Sequence, residues 1–167
     1  MRNQLTQKDI EKMQEEITYR KLVVRQEALE DVKEARAHGD LSENFEYKAA
    51  KQYKNKNESR IRFLEKMIKT AEIIDDSSAE DEIGVNNTFT IRIEDDDSVE
   101  TYKLVTTVRG NSLEGLISVE SPLGKAVIGK KVGDKVTVVV NSSISYDAVI
   151  ESIENTVDDG SDKIRSF

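Results

Sequence analysis

From Met1 to Asp75 the sequence contains no proline and a single glycine, Gly39, close to the middle. Proline breaks a helix interior and glycine weakens it, so a stretch this long with one interruption suits two long helices. The apolar residues agree. Ile10, Met13, Ile17, Val24, Ala28, Val32 and Ala35 recur at steps of three, four or seven before the glycine, and Ala50, Tyr53, Ile61, Leu64, Ile68 and Ala71 form a second series after it. Each series is a narrow stripe among charged residues, as in a coiled-coil seam. Two such helices joined by a short turn fold back antiparallel. The pattern predicts a helical finger over residues 1–75, about 45 Å long at ~1.5 Å per residue.

The chain then becomes polar and acidic, DDSSAEDEIG from Asp75 to Gly84, which reads as a linker over residues 76–84. Beyond it the apolar period changes to two. Thr88–Ile93, Glu100–Val105, Leu116–Val119, Lys135–Val140 and Tyr146–Ile153 read as strands of a mainly antiparallel sheet. Ser121-Pro122 ahead of LGKAVIG predicts a short helix, with Ser as cap, Pro in the first turn and Gly129 closing it. The expected class is α+β: a long antiparallel coiled-coil hairpin, a small β domain with a short helix over 85–154, and a frayed tail over 155–167.

Charge divides along the chain. The net charge is −8, and the whole excess lies in residues 77–167. The stretch Lys48–Lys69 runs the other way, with eight basic side chains against Glu58 and Glu65. The total argues against general coating of nucleic acid, while the local excess leaves a directed polyanion contact open. Absence of Cys excludes disulfides and a thiolate nucleophile, and a single histidine, His38, leaves a zinc site almost no support. The opening MRNQLTQKDIEK has no apolar signal core and no stretch is long enough to span a bilayer, so a cytoplasmic setting without membrane attachment is expected.

The fold-back carries Ala35-Arg36-Ala37-His38-Gly39-Asp40-Leu41-Ser42-Glu43-Asn44-Phe45-Glu46-Tyr47. Two readings of its acids stand. In the structural one Gly39 closes the first helix, Asp40 caps the second and Glu43 completes a capping box. In the functional one Asp40 and Glu43 are two carboxylates at the far end of a rod, able to enter a deep hole. Two carboxylates alone are too few for Mg²⁺, which takes six oxygens, so they would complete a metal site begun by another molecule. Lys48, Lys51 and Lys54, at three-residue spacing, are either a solvated face or a phosphate contact.

The segment AR-x-x-GDLSEN-x-EY-x-AA, Ala35 to Ala50, closely resembles the tip of the bacterial GreA/GreB transcript-cleavage factors, and the similarity continues through SRIRFLEKMIKTAEIID (59–75) and LISVESPLGKAVIGKKVGDKV (116–136). The resemblance implies a non-enzymatic elongation factor that binds bacterial RNA polymerase and inserts the coiled coil through the secondary channel. There it stimulates the polymerase's own Mg²⁺-dependent hydrolysis of backtracked nascent RNA. It also implies that Asp40 and Glu43 help hold a shared Mg²⁺, with no cofactor of the chain's own. Asn44 and Tyr47 would support the tip, and Arg36, Lys48 and Lys51 would face the RNA 3′ end. Glu120, Ser121 and Pro122 would dock on the polymerase, from a domain that is FKBP-like in the family, in a monomeric protein. Prolyl isomerase activity is not expected, because the second half has no Trp and few aromatics.

Three departures from the family pattern stand out. Thr106–Asn111 (TTVRGN) replaces a usually acidic segment, Asn141-Ser142-Ser143 replaces a Pro-Gly-Gly turn, and Phe45 replaces a small residue beside the tip acids. They motivate an alternative function, a secondary-channel regulator that does not cleave and competes with cleavage factors. A bulky Phe45 either disturbs the tip or packs on the opposite helix.

Overall fold

The computed structural model describes residues 3–39 and 44–166. They divide into two compact units, one formed by Ile10–Ala71 and the other by Asn3–Asp9 together with Glu72–Ser166. The expected α+β class, a long helical hairpin followed by a mainly antiparallel sheet, is what the chain adopts. Among the described residues no helix is long and apolar enough to cross a membrane.

The helical unit is built from α1 (Gln7–Tyr19), α2 (Arg25–Arg36) and α3 (Phe45–Lys69). Between α1 and α2, Arg20–Val24 form a π-helical turn, in which the Arg25 amide donates to the Arg20 carbonyl. Met13, Ile17, Val24, Ala28 and Ala35 are buried on the first arm, Ile61 and Leu64 on the second. The seam is not apolar throughout. Asn57 and Arg60 are also buried, opposite the gap between Ile17 and Val24. Arg60 Nε donates to Glu16 Oε2 at 2.8 Å, Arg20 Nε donates to the same oxygen at 2.8 Å, and Arg20 Nη1 donates to Asn57 Oδ1 at 2.9 Å. Asn57 Nδ2 returns a bond to the Arg20 carbonyl at 3.4 Å, the acceptor of the π-turn. A side-chain donor at that carbonyl gives the widened turn a cause in the sequence. Outside this layer Arg25 grips Glu58 through two bonds, of 2.7 and 3.0 Å.

In the second unit β1 (Asn3–Leu5) and β2 (Ala71–Ile73) make a two-stranded sheet that the sequence pattern does not announce. The main sheet contains β3 (Thr88–Ile93), β4 (Val99–Val105), β5 (Leu116–Ser118), β6 (Lys135–Val139) and β7 (Ser145–Glu154), in the order β5-β4-β3-β7-β6. Only the β4–β5 pair is parallel. Alternation places Val136 and Val138 of β6 in the core with Phe89, Ile91, Leu104, Ala148 and Ile150. A bulge at Thr90/Ile91 shifts the β3–β7 register. The short helix α4 (Pro122–Val127) covers this core with Leu123 and Val127. It lies so near β5 that a Cβ on Gly124 would come within 2.0 Å of the Ser118 carbonyl oxygen, so only glycine fits there.

Two segments differ from expectation. The acidic stretch assigned to a linker is held on the second unit. Ile83 is fully buried in the core, its amide donates to the Lys130 carbonyl at 2.9 Å, and Asp81 pairs with Lys131 at 3.0 Å. One isoleucine among acids anchors a segment that carries no periodicity. The tail over 155–166 is not frayed. Asp158 is buried, and its carboxylate accepts from Arg109 Nη1 at 2.8 Å. Arg109, also buried, donates through Nε to Asp9 Oδ1. Asp9 in turn closes a capping box with Thr6, each side chain accepting from the other's amide at 3.0 and 3.2 Å.

Candidate functional site

The first candidate site is the end of the hairpin. Asp40 and Glu43 lie outside the described residues; the groups that flank them are described. Gly39 has φ +136°, open to glycine and strained for other residues. Two residues before it the chain leaves α2, with the Ala37 amide reaching back to the Glu34 carbonyl at 3.1 Å.

The cap of α3 is Asn44, not Asp40 as the capping-box reading had it. Asn44 is extended, with φ −85° and ψ 97°, and its Oδ1 accepts from the Tyr47 amide at 3.0 Å. Its Nδ2 donates to the Ala35 carbonyl of α2 at 2.7 Å. One amide side chain therefore satisfies a free N–H at the start of one helix and a free C=O at the end of the other. Asp40 and Asn44 are both cap-forming types within five residues, and spacing alone does not choose between them.

Arg36 and Tyr47 also meet across the hairpin. Arg36 Nη2 donates to the Tyr47 hydroxyl at 3.5 Å, and the guanidinium carbon lies 5.5 Å from the ring centroid. The Arg36 bond, with help from the charges of Lys51 and Lys54, holds the Tyr47 phenol below its ordinary pKa. Lys48 and Lys51 are exposed, and Lys48 Nζ lies 5.6 Å from the Phe45 ring centroid. Phe45 is 79% exposed, so it does not pack on the opposite helix. His38 Nδ1 and Glu46 Oε2 are 2.8 Å apart, a pair that the sequence reading passed over. Glu46 raises the His38 pKa, first through this bond and then through its charge. The described end of the hairpin thus joins cations (Arg36, Lys48, Lys51) with two aromatic rings.

The second candidate site is the entrance to α4. Ser121 caps the helix, accepting from the Gly124 amide at 3.0 Å and donating to the Ser118 carbonyl at 2.6 Å. Glu120 is half-buried and Pro122 exposed. The Glu120 amide donates to Ser118 Oγ at 3.1 Å, Ser118 Oγ lies 2.8 Å from Thr107 Oγ1, and Thr107 Oγ1 donates to Glu120 Oε2 at 2.9 Å. Because the single Thr107 proton goes to the carboxylate, Ser118 is the donor in the middle step. The three bonds close a ring that holds the Glu120 carboxylate over its own backbone.

Comparison with known proteins matches both halves of the chain. A family model described as "Transcription elongation factor, N-terminal" covers residues 3–73, and one described as "Transcription elongation factor, GreA/GreB, C-term" covers residues 78–155. The transcription elongation factor GreA of Streptococcus sanguinis (strain SK36) is 42% identical over 154 residues, 92% of this chain and 96% of that protein. The GreA of Streptococcus pneumoniae serotype 19F (strain G54) is 41% identical over 153 residues, 91% of this chain and 95% of that protein. Among solved structures, the GreA factor homolog 1 protein of Thermus thermophilus aligns over 93% of this chain and 100% of its own, at 25% identity and a TM-score of 0.43.

Proposed function

The chain belongs to the GreA/GreB family of transcription elongation factors, and from that premise we propose that it binds bacterial RNA polymerase, enters the secondary channel with its hairpin end and stimulates cleavage of backtracked RNA. The observation that carries this reading is the cap. Asn44 already accepts from the Tyr47 amide and bridges to Ala35, so the capping work that would explain Asp40 without chemistry is done by another residue. In this reading Asp40 and Glu43, which lie outside the described residues, serve the polymerase active site. There they would add oxygen donors to an Mg²⁺ that the polymerase largely holds, whose chemistry is to activate the attacking water. Arg36, Lys48 and Lys51 would meet the phosphates of the extruded 3′ end, and Glu120, Ser121 and Pro122 would dock on the polymerase surface. In this reading the chain is a factor and not itself an enzyme, works as a monomer in the cytoplasm and has no cofactor of its own.

A purified, deliberately backtracked elongation complex with Mg²⁺ tests the proposal. Wild-type protein is expected to shorten the RNA. Asp40→Ala and Glu43→Ala are expected to reduce that rate by about 100-fold or more while leaving polymerase affinity within about twofold, as for groups that act mainly in the transition state. Loss of binding in both variants would defeat this separation of roles.

The exposure of Phe45 favours a second reading. A ring 79% exposed next to Asn44 adds an apolar group where the tip meets its partner, which suits a channel-occupying regulator that does not cleave. Binding with intact RNA would support it, and Phe45→Ala would then be the first reversion to assay.

A further inference from the structure

Residues after 155 lie beyond the stretch that the C-terminal family model matches, yet they are built into the second unit. Thr156 Oγ1 donates to the Asn86 carbonyl at 2.6 Å, and the Thr156 carbonyl accepts from Asn87 Nδ2 at 3.2 Å. The Asp158 carbonyl accepts from Lys8 Nζ at 3.2 Å while its carboxylate accepts from Arg109. Further on, Asp162 pairs with Lys103 at 2.7 Å, and the Arg165 amide donates to the Val108 carbonyl at 2.6 Å. Arg109 is 3% exposed. A guanidinium this buried needs anionic partners, and the tail supplies one of its two carboxylates, Asp158 beside Asp9. Arg109 stands in the TTVRGN segment, and that cation and the tail answer each other.

What they clamp is a single 3₁₀ turn, Thr107–Arg109. The tail holds Arg109 by its side chain and Val108 by its carbonyl. Thr107, the next residue along, donates to the Glu120 carboxylate at 2.9 Å. The buried face of the turn and the docking segment are thus separated by one peptide unit.

We propose that residues 156–166 are a strap that positions Glu120 for a protein partner by fixing the Thr107–Arg109 turn. The inference rests on the reading of Glu120-Ser121-Pro122 as the polymerase-docking segment. Asp158 and Arg109 act through Thr107 and do not touch the partner, so they are positioning residues. Without the strap the turn keeps Asp9 but loses Asp158 and the Arg165 bond, and the Glu120 carboxylate is free to leave its ring.

The test compares the full chain with Asp158→Asn, Thr107→Val, the double variant and a chain ending at Asn155. Each is titrated against RNA polymerase at one salt concentration and then assayed for cleavage at saturating factor. Asp158→Asn and Thr107→Val are each expected to weaken affinity about tenfold, the size of one charge-assisted hydrogen bond. The double variant should be no weaker than either single one, because both break the same linkage. The cleavage rate at saturation should stay as in the full chain. Loss of folded protein would lower the active fraction without changing affinity, which thermal melting separates. If the shortened chain does not fold, the double-variant cycle decides alone. Unchanged affinity in folded variants, or losses that add, would overturn the strap while leaving the proposed function intact. A full chain that does not bind polymerase would overturn both.

Discussion

Asn44 makes two bonds at once that the other cap-forming residues cannot both make. Its carbonyl oxygen caps α3 at Tyr47, and its NH₂ serves the Ala35 carbonyl at the end of α2. Aspartate offers the acceptor but no donor, and would set a negative charge 2.7 Å from a carbonyl oxygen. Serine accepts and donates through one atom and is too short to reach both. Asn44→Ala is therefore expected to cost about 1–2 kcal/mol, a lost cap plus an unsatisfied carbonyl at a half-exposed site. Asn44→Asp should retain the cap and still lose stability through the Ala35 contact. Thermal denaturation of the three proteins checks the order wild type, Asp, Ala, and equal melting would remove Asn44 from the account. The sequence made a polar turn legible here, but its structural reading put the cap on Asp40. Asp40 and Asn44 satisfy the same local rule, and only the structure shows Asn44 at the start of α3.

Within the hairpin the element that most needs explanation is the polar layer. A seam of Met13, Ile17, Ile61 and Leu64 would tolerate a slip of one helix along the other, since apolar contacts are not directional. Glu16, Arg20, Asn57 and Arg60 tolerate none, because a slip would pull the buried Asn57 and Arg60 away from the half-buried Glu16 and Arg20 with which they now bond at 2.8–2.9 Å. Such layers define register at some cost in stability, and register decides which residues lie at the turn. Glu16 makes the layer sensitive to acid. Burial pushes its pKa up, but the Arg60 and Arg20 hydrogen bonds and charges together outweigh this and hold it below the ordinary carboxylate value. Its folded pKa is depressed, so its contribution is complete above the unfolded carboxylate pKa and fades as pH falls through the folded value. Glu16→Gln is expected to lower stability by about 1–3 kcal/mol at neutral pH and to converge on wild type as pH drops below about 4. Melting curves at pH 7, 5 and 3.5 measure the gap, and a gap independent of pH would show that Glu16 acts by shape alone. The five strands of the main sheet were legible to within about a residue because half-buried sheets alternate, whereas the three-residue β1 and β2 are too short to show a period. The π-turn was not, since its cause is Asn57, thirty-seven residues from the Arg20 carbonyl it meets.

At the scale of the whole molecule, what the sequence hid is polar and long-range. Arg109, Asp9 and Asp158 are all buried and come from three distant parts of the chain. A lone charged residue in a loop looks solvated until its partners are known, so a tail with no periodicity reads as frayed. Charge distribution, by contrast, is read from composition directly, and it sets how the molecule treats nucleic acid. The net charge is −8, while Lys48–Lys69 carries eight cations against Glu58 and Glu65. Some of these cations are engaged within the hairpin, Arg60 with Glu16 among them, whereas Lys48 and Lys51 stand exposed near the turn. Free RNA approaching at random meets an acidic molecule with one small basic region, and at ~8 Å Debye length few of its phosphates gain by staying. In the proposed function, RNA whose 3′ end is brought to the hairpin end by a polymerase would meet only that region. Fluorescence anisotropy with a labelled single-stranded RNA is therefore expected to show no binding up to about 10 μM protein at 0.15 M salt. With the Lys48→Gln, Lys51→Gln double variant, cleavage by the polymerase in the backtracked complex should be several-fold slower, with a weaker dependence on salt than with wild type. Micromolar binding to free RNA, or a double variant with the wild-type salt dependence, would mean that these lysines are a solvated face and that the charge pattern has no part in presenting the transcript.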